Sequence, residues 1–460
     1  MLSTTLIILI VALGLLLIIV FIGSTCALRP LRRTGSFAPD KNELSPENPI
    51  SPENPISSSS ELLQVSDASV ATDAENEAME ATVEAIAETS SEEMPQATEP
   101  RYSRTDISFP ASDLPPVSVI VYAQCNEERL NLYLHQIMAQ DYPAFEVILI
   151  FDGGAEAAAD MKDILTARYP NICITFVPSN SHNLSRRKLA WTLGMKRASH
   201  DIVLTTAANC EIPSRFWLRQ MLTPMTFPGV DVVLGTTRFD FSELTGPGKW
   251  YNQFDRVIAN ASWINSALTG KPYRGDCYNM VFRRKLFFDF NGYAATIGKP
   301  YGDDDIFVGQ ITNDKNTRVV ISPETLLTMD WGVSTGRVRI SLKEQQMSAA
   351  KELPRAPFIR RGLLSTCMWL TLILAAAIIT SSLLLMPPEL PWPAIAAAAL
   401  LLLFWGLCIA SYRKAATALQ AIRLWWSVPV FMLWRPIANL FFRWRHRKAN
   451  FMDFIWNGYE

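Results

Sequence analysis

The chain has 460 residues, enough for two or three domains, and its formal net charge is -2 at pH 7. This balance gives no reason to expect a nucleic-acid partner, and the acidic and basic residues are segregated along the chain. The seven cysteines form no CxxC pair and the four histidines are scattered, so neither a disulfide framework nor a zinc site is predicted.

Residues 1–28 are predicted to form an N-terminal transmembrane anchor. From Thr5 to Gly23 the sequence carries no charge over roughly the 20 residues that a helix needs to cross a bilayer. It lacks the basic start and the small-x-small cleavage site of a secretory signal. A lipoprotein at Cys26 is the other alternative, but the preceding "GST" matches that signal poorly.

Residues 34–112 are predicted to form a disordered acidic linker. The segment is poor in aromatic residues and rich in Ser, Pro, Ala and Glu, so it is unable to bury enough apolar surface to fold. Its perfect tandem repeat "SPENPISPENPI", Ser45 to Ile56, is typical of a spacer. We interpret it as a tether that leaves the next domain free near the membrane.

Residues 113–356 alternate between strand and helix patterns. The strand patterns are "VSVIVYA", "FEVILIFDGG", "ICITFVP", "DIVLTTAA" and "DVVLGTTRF", with a helix pattern between each pair. This alternation predicts an α/β fold with a mostly parallel, doubly wound sheet and helices on both faces. Ligands on such sheets bind at the carboxyl ends of strands, which directs attention to "CNEE", "FDGG" and "TTAANC".

Residues 361–412 contain two more long apolar runs, Leu363 to Met386 and Ala394 to Ser411, which predict a pair of transmembrane helices. The short turn between them, "PPELPWP", carries no Lys or Arg, whereas basic residues follow the first span, precede the second and follow the third. By the positive-inside rule, everything between the first and second spans faces the cytoplasm.

Residues 413–460 form a basic, aromatic tail with two possible placements. As a fourth span, it would carry its basic C-terminal end to the outer side and bury Arg435 in the bilayer. We therefore favour a helix lying in the membrane interface, with Trp and Phe in lipid and Arg at the headgroups.

The order and spacing of motifs from Pro115 to Glu324 resemble the family-2 glycosyltransferases, inverting nucleotide-sugar transferases of GT-A type. Asn126 and Glu127 stand at that family's usual Asn-Glu, and Asp152 lies in "FDGG", where the family has Asp-Asp-Gly-Ser. The resemblance implies a GT-A-type, Rossmann-like fold in a membrane-anchored bacterial member. It also implies donor binding by Asn126, Glu127 and Asp152. The alternatives are a turn-capping role for Asp152 and a simple first-turn acid for Glu127.

The general base is expected within "GDDDIF", which resembles the acidic motif that supplies it. Close like charges raise the pKa of one carboxyl toward a useful range, so we expect Asp304, then Asp303, then Asp305. A solvated acidic loop is the alternative. In the same comparison, Asn279 of "PYRGDCYNMVF" falls in the acceptor-side segment.

The family's metal-binding DxD motif is degenerate in this sequence. Aligning Cys210 and Pro213 with the family's Cys-x-Pro places Ala207 and Asn209 where the two aspartates belong, and neither supplies the charged oxygen that a hard cation prefers. We expect weakened or no metal dependence, with Mg²⁺ or Mn²⁺ as the open alternative. The consecutive cations Arg186, Arg187 and Lys188 are candidates to meet the donor diphosphate instead; Lys188 matches the family's Lys. A solvated helix start is their other interpretation.

The sequence therefore predicts a bacterial inner-membrane, multi-pass glycosyltransferase with a cytoplasmic catalytic domain. Its expected partners are a nucleotide-sugar donor, membrane lipids and a lipid-linked or membrane-presented acceptor in envelope polysaccharide or glycolipid synthesis. Gln345 and Gln346 lack the Arg-Trp that completes the motif of processive members, which argues against polymer synthesis. The alternative hypotheses are a catalytically degenerate nucleotide-sugar-binding or scaffold subunit and an unrelated nucleotide-binding sensor tethered by the acidic linker.

Overall fold

The computed structural model describes residues 2–26, 114–124, 127–152, 154–178, 184–242, 244–299, 301–332, 335–385, 392–421 and 424–448. Asn126 and the predicted linker at 34–112 lie outside the described residues.

The strands of the described residues form two sheets. A seven-stranded sheet has the order β3-β2-β1-β4-β8-β6-β9, and a three-stranded sheet has the order β5-β10-β7. The strands are β1 (Val117–Ala123), β2 (Phe145–Phe151), β3 (Ile172–Phe176), β4 (Ile202–Ala207), β5 (Cys210–Glu211), β6 (Val232–Leu234), β7 (Thr237–Phe239), β8 (Met280–Arg283), β9 (Thr317–Val319) and β10 (Leu327–Met329).

The helices surround the sheets and continue to the C-terminal region. They are α1 (Leu2–Cys26), α2 (Glu127–Met138), α3 (Gly154–Arg168), α4 (Arg186–Arg197), α5 (Trp217–Leu222), α6 (Gly246–Leu268), α7 (Arg284–Asp289), α8 (Ile306–Ile311), α9 (Thr335–Ala349), α10 (Arg355–Leu385), α11 (Trp392–Ala418) and α12 (Val428–Lys448).

The predicted α/β fold with a mostly parallel sheet is confirmed. Strands β3, β2, β1 and β4 are all parallel, and β1 and β4 are buried along their whole length, as expected for strands covered by helices on both faces. Strand β8 runs antiparallel between β4 and β6, so the second half of the sheet is mixed.

The prediction of one strand over "DVVLGTTRF" is wrong, because the segment is divided between the two sheets. Strand β6 pairs with β8 and β9, whereas β7 pairs with β10 in the small sheet. The break falls at Gly235, where an added Cβ would lie 2.8 Å from the backbone oxygen of Asn279. The close approach of two backbones favours glycine and ends the strand there.

Helix α4 packs directly on the parallel strands. A Cβ at Gly194 would collide with Ile120 of β1 and lie 2.8 Å from Cδ1 of Ile150 of β2. The helix therefore lies close to the sheet, and this fixes the position of its N-terminal residues Arg186, Arg187 and Lys188.

Two helices, α10 and α11, are long and apolar enough to cross a membrane by length and composition. The apolar helix α1 packs against both of them. Its Leu13 and Leu17 are buried in these contacts, whereas Ile8 and Leu15 are exposed. The three apolar helices thus pack together beside the α/β domain.

Helix α12 has two different faces. Val428, Ala438 and Phe442 are buried, and the helix contacts α6, α9 and α11. The opposite face is exposed and apolar at every third or fourth position. Its members are Val430, Trp434, Ile437, Phe441 and Trp444.

Replacing Gly194 with Ala should lower the thermal unfolding midpoint of the full-length protein in detergent. Overpacking costs about 1 to 3 kcal/mol, which outweighs the gain of at most about 1 kcal/mol in helix propensity. Gly248→Ala is the matched control, because Gly248 of α6 has open space around it. Tryptophan fluorescence during heating measures both variants. An unchanged midpoint for Gly194→Ala would contradict the close packing of α4 on the sheet.

Candidate active site

The ends of three parallel strands meet at one edge of the large sheet. The backbone N–H of Asp152, just after β2, donates to Ala123 O at the end of β1 at 2.9 Å. The N–H of Ala208, just after β4, donates to Tyr122 O at 2.9 Å. The segments "FDGG" and "TTAANC" are thus brought together, and Glu127 stands at the start of α2 beyond the end of β1.

Asp152 is buried at this edge, where its carboxylate contacts Tyr122 and Arg186. The Tyr122 hydroxyl donates to Oδ2 of Asp152 at 2.5 Å, and the Arg186 guanidinium pairs with Oδ1. Arg186 is partly exposed and also donates to Pro178 O at 3.3 Å. Donor binding by Asp152 stays a prediction, and Tyr122 and Arg186 are the groups that orient its carboxylate.

Arg187 joins α4 to the acidic segment 303–305. Its Nη2 donates to Oδ1 of Asp303 at 2.8 Å, and its Nε lies 2.5 Å from Oδ2 of the same carboxylate. Nη1 donates to the Tyr278 hydroxyl at 2.9 Å, and Nη2 also lies 3.4 Å from Oε1 of Gln345. Burial works against the charged form, but the Arg187 guanidinium and the Lys188 ammonium hold the pKa of Asp303 below its ordinary value.

Lys188 is fully buried and donates hydrogen bonds to the loop that precedes the acidic segment. Its Nζ donates to the backbone oxygens of Thr296 at 2.5 Å, Lys299 at 3.0 Å and Tyr301. Burial lowers the pKa of Lys188 to about 8. The ammonium is directed at three carbonyls of this loop, so its predicted contact with donor phosphate would require a rearrangement of those bonds.

Asp304 and Asp305 have different surroundings although they are adjacent. Asp305 is buried, accepts a hydrogen bond from Ile306 N at 2.8 Å, and pairs with Arg274 Nη2 at 3.1 Å. Asp304 is only half-buried, and no described group donates to its carboxylate. Burial and the repulsion between neighbouring carboxylates raise the pKa of both groups, that of Asp305 to about 7. Asp304 is therefore the accessible carboxylate of the acidic segment, and its pKa is raised.

Asn279 is completely buried, and its side chain joins three segments of the fold by hydrogen bonds. Its Oδ1 accepts from the Trp217 indole N–H at 3.1 Å, and its Nδ2 donates to Thr236 O at 3.0 Å and Thr325 O at 2.7 Å. The structure gives Asn279 a scaffolding position, and its acceptor-side role stays a prediction.

The turn at Asn209, which the sequence comparison predicts to stand at the DxD position, forms hydrogen bonds to the residue that follows β10. Asn209 Nδ2 donates to Asp330 O at 2.9 Å, and Asp330 N donates to Asn209 O at 2.9 Å. The Asp330 carboxylate accepts from Arg129 Nε at 3.0 Å and from the Tyr133 hydroxyl at 3.2 Å. Burial opposes the charged form, but the Arg129 bond keeps the pKa of Asp330 below its ordinary value.

The side chains of Ala207 and Asn209 bring no carboxylate oxygen to this turn, which a hard divalent cation prefers. The Ala207 side chain has no atom that can coordinate a metal ion. The side-chain amide N–H and the backbone oxygen of Asn209 both form hydrogen bonds with Asp330. Among the described residues, no group of three His, Cys, Asp or Glu side chains has the arrangement of a metal site.

Several site residues were missed from sequence. Arg274 pairs with Asp305 of the acidic segment, and Tyr278 and Gln345 contact Arg187. Asp330 bonds to Asn209 and pairs with Arg129. Gln345 lies in the "KEQQ" segment, so the family resemblance indicated its region. In the sequence, the only local indication of Asp330 is its position as an acidic residue between a strand and the Gly of "MDWG".

Solved structures with similar folds are glycosyltransferases with low sequence identity. One is the mannosyltransferase PcManGT of Pyrobaculum calidifontis in complex with GDP-Man and Mn²⁺, with 20% identity, 73% of this chain and 90% of that chain covered, and a TM-score of 0.44. Another is S. aureus TarS 1-349 in complex with UDP-GlcNAc, with 12% identity, coverages of 70% and 92%, and a TM-score of 0.36. No curated protein matches.

The family model described as glycosyl transferase family 21 matches residues 82–449. This match spans the strand ends, the acidic segment, both long apolar helices and α12. The glycosyltransferase assignment is thereby confirmed, although the matching family is not the family 2 that the motifs resemble. The chain belongs to glycosyl transferase family 21.

Proposed function

We propose that this protein is a membrane-bound glycosyltransferase that transfers a sugar from a nucleotide-sugar donor to a lipid-linked or membrane-presented acceptor. The observation that carries the proposal is the half-buried Asp304 carboxylate, held beside the Arg187–Asp303 and Arg274–Asp305 ion pairs. The product would belong to envelope polysaccharide or glycolipid synthesis. Family membership supports sugar transfer, and the acidic segment supports the chemistry.

Asp304 has the properties that a general base needs. A base must remove the proton of the acceptor hydroxyl as that oxygen attacks the anomeric carbon from the face opposite the leaving diphosphate. Such a displacement by one base inverts the anomeric configuration. Asp303 is neutralised by Arg187 and Asp305 is held by Arg274 and Ile306 N, so Asp304 is the carboxylate left to accept a proton.

The apolar helices support a location at the bacterial cytoplasmic membrane. Helices α10 and α11 have the length and composition of spans, and α1 packs against them. The exposed face of α12 carries Trp434 and Trp444, and Arg443 and Arg445 follow the same helix to its end. This pattern is typical of a helix lying in the membrane interface, which would keep the catalytic domain on the cytoplasmic surface.

The scaffold hypothesis keeps one specific observation in its favour. In a metal-dependent transferase, the DxD carboxylates are directed at the cation and the donor diphosphate. In this protein the turn at Asn209 forms hydrogen bonds with Asp330 instead. A protein that binds nucleotide-sugar or partner enzymes without turnover would tolerate the loss of the DxD carboxylates, because it has no leaving diphosphate to stabilise. An active enzyme requires cations such as Arg186 to stabilise the leaving diphosphate.

Asp304→Asn should abolish sugar transfer, because the amide has no basic lone pair at neutral pH while its shape is nearly unchanged. Loss of a general base costs about 10²- to 10⁴-fold in rate. Membranes containing the full-length protein are incubated with a panel of radiolabelled nucleotide-sugars, and the lipid-extractable label is counted. Asp314→Asn, at an exposed loop position, is the matched control and should retain turnover. Equal, measurable turnover in both variants would reject Asp304 as the base, whereas no turnover of any donor by the unmodified protein would favour the scaffold.

Transfer should fall as the pH is lowered while the pH is still above the usual carboxyl pKa of about 4, because burial and the neighbouring Asp303 carboxylate raise the pKa of Asp304. The base acts only when deprotonated, and the raised pKa of Asp304 moves its protonation to higher pH. Initial rates between pH 5 and 9 in constant ionic strength test this. A rate that stays level down to pH 5 would contradict a base with a raised pKa.

A further inference from the structure

An open cavity lies between α4, α7, α8 and the loop that joins α7 to the acidic segment. Its volume is about 480 Å³, which falls within the range of about 300 to 1,000 Å³ that is typical of sites for small molecules. None of the described residues that we expect to bind the donor or the acceptor, or to act as the base, lines this cavity. The cavity is therefore separate from the candidate active site.

Aromatic rings form much of the wall of the cavity. Phe287 and Phe307 are buried lining residues, and their ring centres lie 5.6 Å apart in an edge contact. Both rings also pack against Tyr293, with centre-to-centre distances of 5.4 and 5.1 Å, so their positions are fixed. Phe288 and Phe290 line the opening and are each 46% exposed. A ligand that covered these rings would gain from the burial of apolar surface.

The polar groups around the opening are cationic or neutral. Among the described lining residues, Lys196 of α4 is the only charged one, and its side chain is exposed. Asn291 and Gln310 add two exposed side-chain amides. A second cation, Arg284, has its guanidinium carbon 6.0 Å from the centre of the Phe288 ring. Because no carboxylate is among these lining residues, an anion that enters the cavity meets cations without repulsion from a like charge.

Two lining residues connect the cavity to the acidic segment. The backbone oxygen of Thr296 accepts a hydrogen bond from Lys188 Nζ at 2.5 Å, in the loop that leads to Asp303. Ile306 directly follows Asp305, and its backbone N–H donates to that carboxylate at 2.8 Å. An occupant of the cavity would therefore contact residues on both sides of the acidic segment.

We propose that this cavity is a second ligand site, which binds a small organic anion with an apolar body. The apolar body packs against Phe287 and Phe307, and the anionic group meets the Lys196 ammonium, with the amides of Asn291 and Gln310 as further donors. A neutral molecule of the same shape loses the charge-assisted hydrogen bond, and a bare inorganic anion loses the apolar contact. The bound ligand would hold the loop at Thr296 and the start of α8 in place. Only this control of the acidic segment rests on the proposed function; the binding itself does not.

Photoaffinity labelling of the full-length protein in detergent tests the site. One probe is a phenyldiazirine that carries a carboxylate, and the other is the same phenyldiazirine with a hydroxymethyl group in its place. Mass spectrometry of the digested protein locates the label after irradiation. We expect the carboxylate probe to label residues 287–296 and 306–310 saturably. The neutral probe should bind there at least about tenfold more weakly, which is the effect of losing one charge-assisted hydrogen bond.

Three variants separate the cation from the cavity. Lys196→Gln is compared with Arg197→Gln, which removes the same charge at the neighbouring exposed position that does not line the cavity. The apparent affinity for the carboxylate probe should fall at least about tenfold in Lys196→Gln and stay unchanged in Arg197→Gln. Ala295→Trp places a large ring among the lining residues and should abolish labelling. All three positions are exposed, so the thermal unfolding midpoint should change little.

Each contrary result overturns a stated part of the proposal. Equal labelling by the two probes, or equal effects of Lys196→Gln and Arg197→Gln, would overturn the assignment to an anion. Label confined to other parts of the chain, or labelling that persists in Ala295→Trp, would overturn the cavity as the site. Competition by UDP- or GDP-sugars would overturn its separation from the donor site. Saturable carboxylate labelling of a protein that transfers sugar from no donor would leave the second site standing while the proposed function fails.

Discussion

The buried ion pair between Arg187 and Asp303 is the constraint on which the arrangement of this site depends. Removing one member of such a pair typically costs about 3 to 5 kcal/mol, because the other charge stays buried without a partner. Arg187 comes from a helix held close to the sheet by Gly194, and Asp303 belongs to a loop secured by the Lys188 ammonium. The pair therefore fixes the acidic segment relative to the strand ends, and leaves Asp304 as the half-buried carboxylate.

Helix α9 connects this site to the tail helix through three consecutive residues. Lys343 pairs with Asp255, Glu344 pairs with Arg445, and Gln345 contacts Arg187. Asp255 in turn holds Arg435 of α12, whose opposite face is apolar and exposed. A rigid set of charge contacts thus joins the face that we assign to the membrane interface with the acidic segment, so that an acceptor held by lipid would meet a base held by the protein.

The first half of the domain could be predicted from the sequence because its signals are local. Val117 to Ala123 and Phe145 to Phe151 are apolar runs broken only near their starts by Ser118 and Glu146, and both are strands of the predicted parallel sheet. The later strands have only two to four residues and take their places from tertiary pairing, as the division at Gly235 shows. Acidic residues could be recognised by motif order, but the partners of Asp303 and Asn209 come from segments 116 and 121 residues away. Such distant pairings leave no local pattern.

The most direct test of the account is donor binding by the full-length protein in the presence and absence of chelator. Thermal unfolding is followed with UDP-, GDP- and dTDP-sugars, each in Mn²⁺ and in EDTA; a ligand at a hundred times its dissociation constant stabilises by about 2.7 kcal/mol. We expect one donor class to raise the midpoint, and we expect the shift to survive EDTA because Asn209 and Ala207 supply no carboxylate to hold a metal ion. A shift that disappears in EDTA would contradict the description of the DxD position, and no shift with any donor would contradict the assignment of a working donor site.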